Sequence, residues 1–210
     1  MEKGKFITFE GGEGSGKTTQ IELLYQKLIN NGINVVKTRE PGGTVIGEEI
    51  RNILVKGPTR NITPFTELLL NSASRKEHIE SLIKPNIDDG SWVLCDRFVD
   101  STLVYQGFGH GLDINMVKYI NQFTIGDYIP DLTIIFDIDP NDGLKRASKR
   151  NIEEDRYEKM DISFHLKIRE SYLQIAKNDT KKYKIVDASL DKEIILDNIF
   201  KIISDLFTIK

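Results

Sequence analysis

Five short runs of nearly continuous apolar character punctuate the chain: Lys5–Glu10, Asn34–Thr38, Trp92–Asp96, Thr133–Asp137 and Lys184–Asp187. Runs of this length and texture predict strands buried in a parallel sheet. The segments between them change to helical spacing. Ile21, Leu24 and Leu28 follow the first run, Leu68, Leu69, Ala73 and then Leu82 precede the third, and Ile195, Ile199, Ile202 and Leu206 form a stripe near the end. Strands alternating with helices predict an α/β fold, a parallel five-stranded sheet with helices on both faces. The punctuation agrees. Asn31-Gly32 stops the first helix, Pro64 starts another, and Asp89-Gly90 turns into the third strand. No repeat, low-complexity tract or linker interrupts the pattern, so residues 1–210 are expected to form a single domain.

Composition narrows the classes of partner. The formal charge is −3 with both signs mixed along the chain, which gives no bulk charge for a nucleic-acid polymer or an anionic membrane. No apolar run approaches membrane-spanning length, and the opening Met1-Glu2-Lys3-Gly4-Lys5 carries no signal-peptide core. The single cysteine, Cys95, lies inside an apolar run, where a buried reduced thiol is the expected state. These features together predict a cytoplasmic protein.

The chemistry begins after the first strand. Gly11-Gly12-Glu13-Gly14-Ser15-Gly16-Lys17-Thr18 fits the pattern G-x-x-x-x-G-K-[ST], with Thr19 next and a helix following. A strand, a glycine-rich turn and a helix N-terminus make an anion cradle, because successive N–H groups turn inward and the helix dipole adds partial positive charge. Lys17 can reach the β- and γ-phosphates of a nucleoside triphosphate, and the Thr18 hydroxyl can bind Mg²⁺. Asp96 ends the third strand at the ligand edge of the sheet, where a carboxylate supports Mg²⁺ directly or through water, and Arg97 beside it can grip a phosphate. Arg39-Glu40-Pro41-Gly42-Gly43 follows the second strand at the same edge and by itself reads as a Pro-Gly turn. Arg75 by itself reads as a solvated helix charge. The basic segment with Lys145, Arg146, Lys149, Arg150 and Arg156 is either a solvated face or a mobile lid around residues 147–158. The loop has no arginine of its own, so a cation over the transferred phosphoryl must come from elsewhere, a contribution worth roughly 10³–10⁵ in rate. His78, His110 and His165 show no zinc-ligand spacing.

Taken in order, these motifs resemble the bacterial thymidylate kinases, members of the P-loop nucleoside monophosphate kinase superfamily. The resemblance runs through Phe9-Glu10-Gly11 to Thr19, Thr38 to Thr44, Ala73-Ser74-Arg75, Asp96-Arg97-Phe98, Ser101-Thr102, Tyr105-Gln106-Gly107, Pro130 to Thr133, Gly143 to Arg146 and Asp155-Arg156-Tyr157-Glu158. It implies a P-loop NTPase-type kinase, usually a homodimer, that moves the γ-phosphoryl of ATP to dTMP with Mg²⁺. ATP would lie on residues 11–19, with Thr18 and Asp96 at the metal. Glu13 would meet the acceptor's 3′-hydroxyl or the metal shell, and Arg39 and Arg97, helped by Arg51, its phosphate. Arg75 and Gln106 would address thymine, with Thr102 beside it, and Ser101 would be a further substrate-binding residue. Tyr105 would crowd the 2′ position, and Arg150 would cover the phosphoryl in flight. Two positions depart from the family pattern. Asn71 stands where a phenylalanine usually stacks on the base, which leaves that role to Phe65, Leu70 or another side chain, and His110 stands where many members have arginine. The alternatives are another nucleoside or nucleotide kinase on this fold, or an acceptor-independent ATPase.

Overall fold

The computed structural model describes residues 3–55, 62–149, 156–207 and 209. The strands are β1 (Phe6–Gly11), β2 (Val35–Arg39), β3 (Trp92–Asp96), β4 (Leu132–Asp137) and β5 (Tyr183–Asp187). They form one parallel sheet in the order β2-β3-β1-β4-β5. The central β1, β3 and β4 are almost wholly buried. The edge strands β2 and β5 are only partly so, because each lacks a neighbour on one side and is less fully covered.

Alternation along β1 divides the core. Ile7 and Phe9 point to one face, where they join Leu24 and Leu28 of α1 (Lys17–Asn30) and Ile195, Ile199 and Ile203 of α9 (Lys192–Leu206). The stripe on α9 therefore runs through Leu196 and Ile203 rather than Leu206, which is exposed. On the opposite face Phe6, Val93 and Cys95 pack on Phe98 and Ile79, and Ile135 packs on α8 (Ile162–Asn178). Thr8 and Thr133 share a buried hydrogen bond of 2.8 Å on this face.

The remaining helices are α2 (Val45–Val55), α3 (Pro64–His78), α4 (Lys84–Asp88), α5 (Val99–Thr102), α6 (Ile114–Ile125) and α7 (Pro140–Ala147). Thr63 caps α3 by accepting from the Thr66 N–H, with Pro64 in the first turn. The predicted apolar stripe on α3 is only partly correct. Leu68 is buried but Leu69 and Ala73 are exposed, and the inward face carries Glu67, Ser72, Ser74, Arg75 and His78. Two π-helical segments extend helices. Ile79–Ile83 joins α3 to α4, and Leu103–Gly109 continues α5. Such turns concentrate at functional sites, and the second carries Tyr105 and Gln106. The predicted lid overlaps α7 at Ala147, while residues 150–155, including Arg150, lie outside the described residues.

Chain order reverses at β1, which lies between β3 and β4. Connections leave in opposite directions there, and a crevice opens at the carboxyl ends of the strands.

Candidate active site

The glycine loop leaves β1 at Gly11 and enters α1 through Gly16, whose φ of 89° is left-handed. Gly14 has a φ of 66°, and a Cβ there would lie 1.9 Å from the Gly143 carbonyl oxygen. Only glycine allows the loop to rest on α7. Lys17 reaches back across the loop. Its Nζ donates to the carbonyls of Gly11 and Gly12, each at 2.9 Å, and to Ser15 Oγ at 3.1 Å. Burial, followed by the nearby Arg97 charge, lowers its pKa to about 8. Thr18 Oγ1 donates to Asp96 Oδ2 at 2.7 Å, so the hydroxyl and carboxylate singled out in the sequence meet at the mouth of the cradle.

Arg97 has a φ of 69°, the single positive value outside glycine among the described residues. That backbone turns its guanidinium toward the loop, where it donates to Gly11 O (3.2 Å), Ser101 Oγ (3.3 Å) and Glu13 Oε1 (2.8 Å). Tyr105 donates to the same Glu13 oxygen at 2.8 Å, and Arg97 lies 5.1 Å from the Tyr105 ring centroid. Burial raises the Glu13 pKa, but Arg97 and Lys17 outweigh it and hold the carboxyl below its ordinary range. Burial also pushes the Tyr105 phenol upward, so it remains a donor.

A residue that the sequence reading assigned no role holds this corner in place. Glu10 is fully buried. Its Oε1 accepts from the N–H groups of Phe98 (2.8 Å) and Ser101 (3.2 Å), and its Oε2 from Ser101 Oγ (2.6 Å) and Tyr172 OH (2.9 Å). Four donors on one carboxylate clamp the backbone on the C-terminal side of Arg97.

From the cradle a cleft of about 890 Å³ extends past Thr19, Arg39 and Arg51 to Arg75, Gln106 and Tyr157. Arg75 is 2% exposed and nearly fully engaged. It donates to Glu40 (2.7 Å), Phe98 O (3.0 Å), Thr102 Oγ1 (3.0 Å) and, at 3.4 Å, Asn121 Oδ1. His78 Nδ1 meets the other Glu40 oxygen at 3.0 Å. Arg75 is therefore a buried, ion-paired wall of the cleft and not a solvated charge. Arg39 pairs with Glu48 at 2.9 Å, and Arg51 donates to Pro41 O at 2.9 Å.

The basic segment divides. Arg146 donates to Ala188 O and Ser189 O at 2.8 and 3.4 Å, away from the cleft, and Lys145 and Lys149 are not cleft walls. Arg156 is one, and it pairs with Glu67 at 3.0 Å. Phe65 is 43% exposed and lies outside the cleft lining. The aromatic side chains lining the cleft are Phe98, Tyr105 and Tyr157, the two tyrosines with ring centroids 4.7 Å apart. Asn71 donates to Glu67 O of its own helix. His110 packs on Phe164, and burial lowers its pKa, so it supplies no cation to the phosphates at neutral pH. The buried acids Glu10, Glu40 and Glu67 gave no signal in the hydrophobic pattern, since each acquires its partners only from distant segments.

A model of the family described as thymidylate kinase matches residues 9–199. The chain belongs to the thymidylate kinase family. The thymidylate kinase of Magnetococcus marinus is 44% identical over 205 residues, 98% of each chain. That of Bacillus velezensis is 41% identical over 203 residues, 96% of each. The crystal structure of thymidylate kinase from Ehrlichia chaffeensis superposes with a TM-score of 0.77 at 34% identity, covering 96% of this chain and 99% of that one. The thymidylate kinase likeness thus spans the residues of both the cradle and the far end of the cleft.

Proposed function

We infer that the protein transfers the γ-phosphoryl group of ATP to the 5′-phosphate of dTMP, giving dTDP and ADP. Membership of the thymidylate kinase family over residues 9–199 carries this reading. An acceptor-phosphate oxygen attacks the γ-phosphorus as the bond to the β-γ bridging oxygen breaks. Such a transfer needs in-line positioning and charge stabilisation more than covalent chemistry.

Roles follow from that reading. The loop amides of residues 11–19 and Lys17 hold the triphosphate. Arg97, with Arg39 and Arg51, holds the acceptor phosphate, and Glu13 meets the sugar 3′-hydroxyl. Tyr105 fills the space a 2′-hydroxyl would need. Ser101 keeps Arg97 and Glu10 in register, while Arg75, Thr102 and Gln106 face the base. Arg150, outside the described residues, is the proposed cation over the transferring group. We also propose that residues around 147–158 act as a lid.

Mg²⁺ fits the donor set at the cradle mouth. Thr18 Oγ1 and Asp96 Oδ2 are hard oxygen donors 2.7 Å apart, and Mg²⁺ uses one or two protein oxygens alongside phosphates and water. When bound, it offsets the charge of the phosphate oxygens. A homodimer in the cytoplasm is the assembly and place this reading implies. The buried thiol of Cys95 is in keeping with a reducing compartment, and among the described residues no helix is long and apolar enough to cross a membrane.

The test is ADP release with ATP, Mg²⁺ and a panel of deoxynucleoside and ribonucleoside monophosphates. The reading expects turnover that requires the acceptor and prefers dTMP. ATP turnover indifferent to every monophosphate would overturn it, and preference for another acceptor would reassign the substrate.

A further inference from the structure

At the far end of the cleft, three side chains form a chain of hydrogen bonds whose direction is fixed by chemistry. Glu67 on α3 is 2% exposed. One carboxylate oxygen accepts from Arg156 Nη2 at 3.0 Å, and the other accepts from the Tyr157 hydroxyl. An ion-paired carboxylate offers only acceptors, so the Tyr157 proton points at Glu67. The phenol oxygen then accepts, and Gln106 Nε2 donates to it at 3.0 Å. A carboxamide has its donors on one side and its acceptor on the other. With Nε2 committed to Tyr157, the Oε1 of Gln106 is the side left for a ligand in the cleft that Gln106 lines.

The relay is held firmly. The Tyr157 ring stacks on Phe164 with centroids 6.2 Å apart and planes 10° apart, and meets Tyr105 edge-on at 4.7 Å. The Arg156 guanidinium lies 5.5 Å from its centroid. Burial, then the Glu67 charge, pushes the Tyr157 phenol well above its ordinary value, so the proton stays on the oxygen. Asn71 gives its amide to the Glu67 backbone carbonyl at 3.0 Å, and His110 packs behind Tyr157 at 6.3 Å. Neither interrupts the chain from Glu67 to Gln106.

We propose that Glu67 and Tyr157 are specificity-determining positioning residues, which hold the Gln106 carboxamide oxygen toward the cleft so that the site selects bases presenting a ring N–H donor. Thymine and uracil carry such a donor at N3. Cytosine carries a bare N3 acceptor there, which would meet Gln106 Oε1 lone pair to lone pair. A buried polar contact of that kind discriminates strongly, because the wrong base leaves both partners unpaired. The proposal rests on the reading that the acceptor's base occupies this end of the cleft.

The experiment compares the full-length protein with Tyr157→Phe and Glu67→Gln, using dTMP, dUMP and dCMP at saturating ATP. Binding of the three monophosphates without ATP is titrated in parallel. The unmodified protein should favour dTMP and dUMP over dCMP by about 10³-fold or more. Tyr157→Phe removes the acceptor for Gln106 Nε2 and lets the amide turn. The dTMP-to-dCMP ratio of kcat/KM should fall by about tenfold or more, with the KM for ATP unchanged. Glu67→Gln supplies Tyr157 with a donor in place of an acceptor and should move the ratio the same way. If one variant fails to fold, the other carries the test. An unchanged ratio, with all three acceptors slowed alike, would mean a purely structural role and overturn the proposal. Should the protein phosphorylate none of the three, the dTMP reading fails separately. The binding titrations then decide: a lost preference in the variants supports the relay, and an unchanged preference or no binding at all overturns it.

Discussion

Replacing Glu10 with glutamine should change how stability depends on pH while leaving the fold intact. The carboxylate sits among two rigid donors, the Phe98 and Ser101 N–H groups on Oε1, and two hydroxyls, Ser101 and Tyr172, on Oε2. Hydroxyls can reverse and accept, so a proton on Oε2, or the amide of glutamine, fits without orphaning a group. Burial, then the Asp100 charge, raises the Glu10 pKa from 4.5 to about 7, against the opposing pull of Ser101, Arg97 and the Phe98 N–H. Between those values the unfolded chain has released the proton and the folded chain keeps it. Folding therefore binds protons, and stability falls as pH rises from about 4.5 through about 7. At about 1.4 kcal/mol per pH unit, the whole change is on the order of 3 kcal/mol. Arg97, Lys17, Asp100, Tyr172 and Tyr183 also face this carboxylate, but both proteins contain them. Urea unfolding of the protein and Glu10→Gln at pH 5 and pH 8 reads, as a difference of differences, the titration of Glu10 together with its effect on Asp100. The variant should gain about 2–3 kcal/mol relative to the parent between the two conditions. A difference constant to within about 0.5 kcal/mol would show that Glu10 does not titrate in this window.

Lys17→Ala should abolish turnover with the circular dichroism spectrum preserved, because no other cradle side chain carries a full positive charge to the phosphates; a folded variant with near-normal kcat would refute that role. Tyr105 should enforce preference for a deoxy over a ribo acceptor, and equal kcat/KM for dTMP and its ribo counterpart would remove it from sugar selection. Arg75→Ala leaves the Glu40 carboxylate buried with His78 as its remaining side-chain partner among the described residues; it should cost about 3–5 kcal/mol in chemical unfolding, and a loss below about 1 kcal/mol would show that the pair is readily resolvated.

Particular residues show how far the sequence reading reached. Ile21, Leu24 and Leu28 were readable as one face of α1 because an apolar stripe at helical spacing has few other ways to leave water. Thr18 and Asp96 were readable as neighbours because a strand-loop-helix cradle and a strand ending in a carboxylate must share the ligand edge of a parallel sheet. Leu69 keeps helical spacing with its apolar neighbours yet is exposed, since α3 turns its polar side inward. Arg146 belongs to the basic segment that reads in the sequence as either a solvated face or a lid, and the structure turns it onto carbonyls of the loop after β5.

The sequence by itself determined the alternating sheet and helices and the phosphate cradle, because apolar periodicity and glycine conformational limits act over a few residues, and the order of its motifs carried the resemblance to the family. The tertiary structure decided which polar groups could be buried. Glu10 depends on Tyr172, Arg75 on Glu40, and Glu67 on Arg156 and Tyr157, partners brought together only when the sheet and its covering helices assemble. A buried charge is tolerable only beside the group that compensates it. The chain alone could name these side chains but not their environment, and in this cleft that environment orients the site.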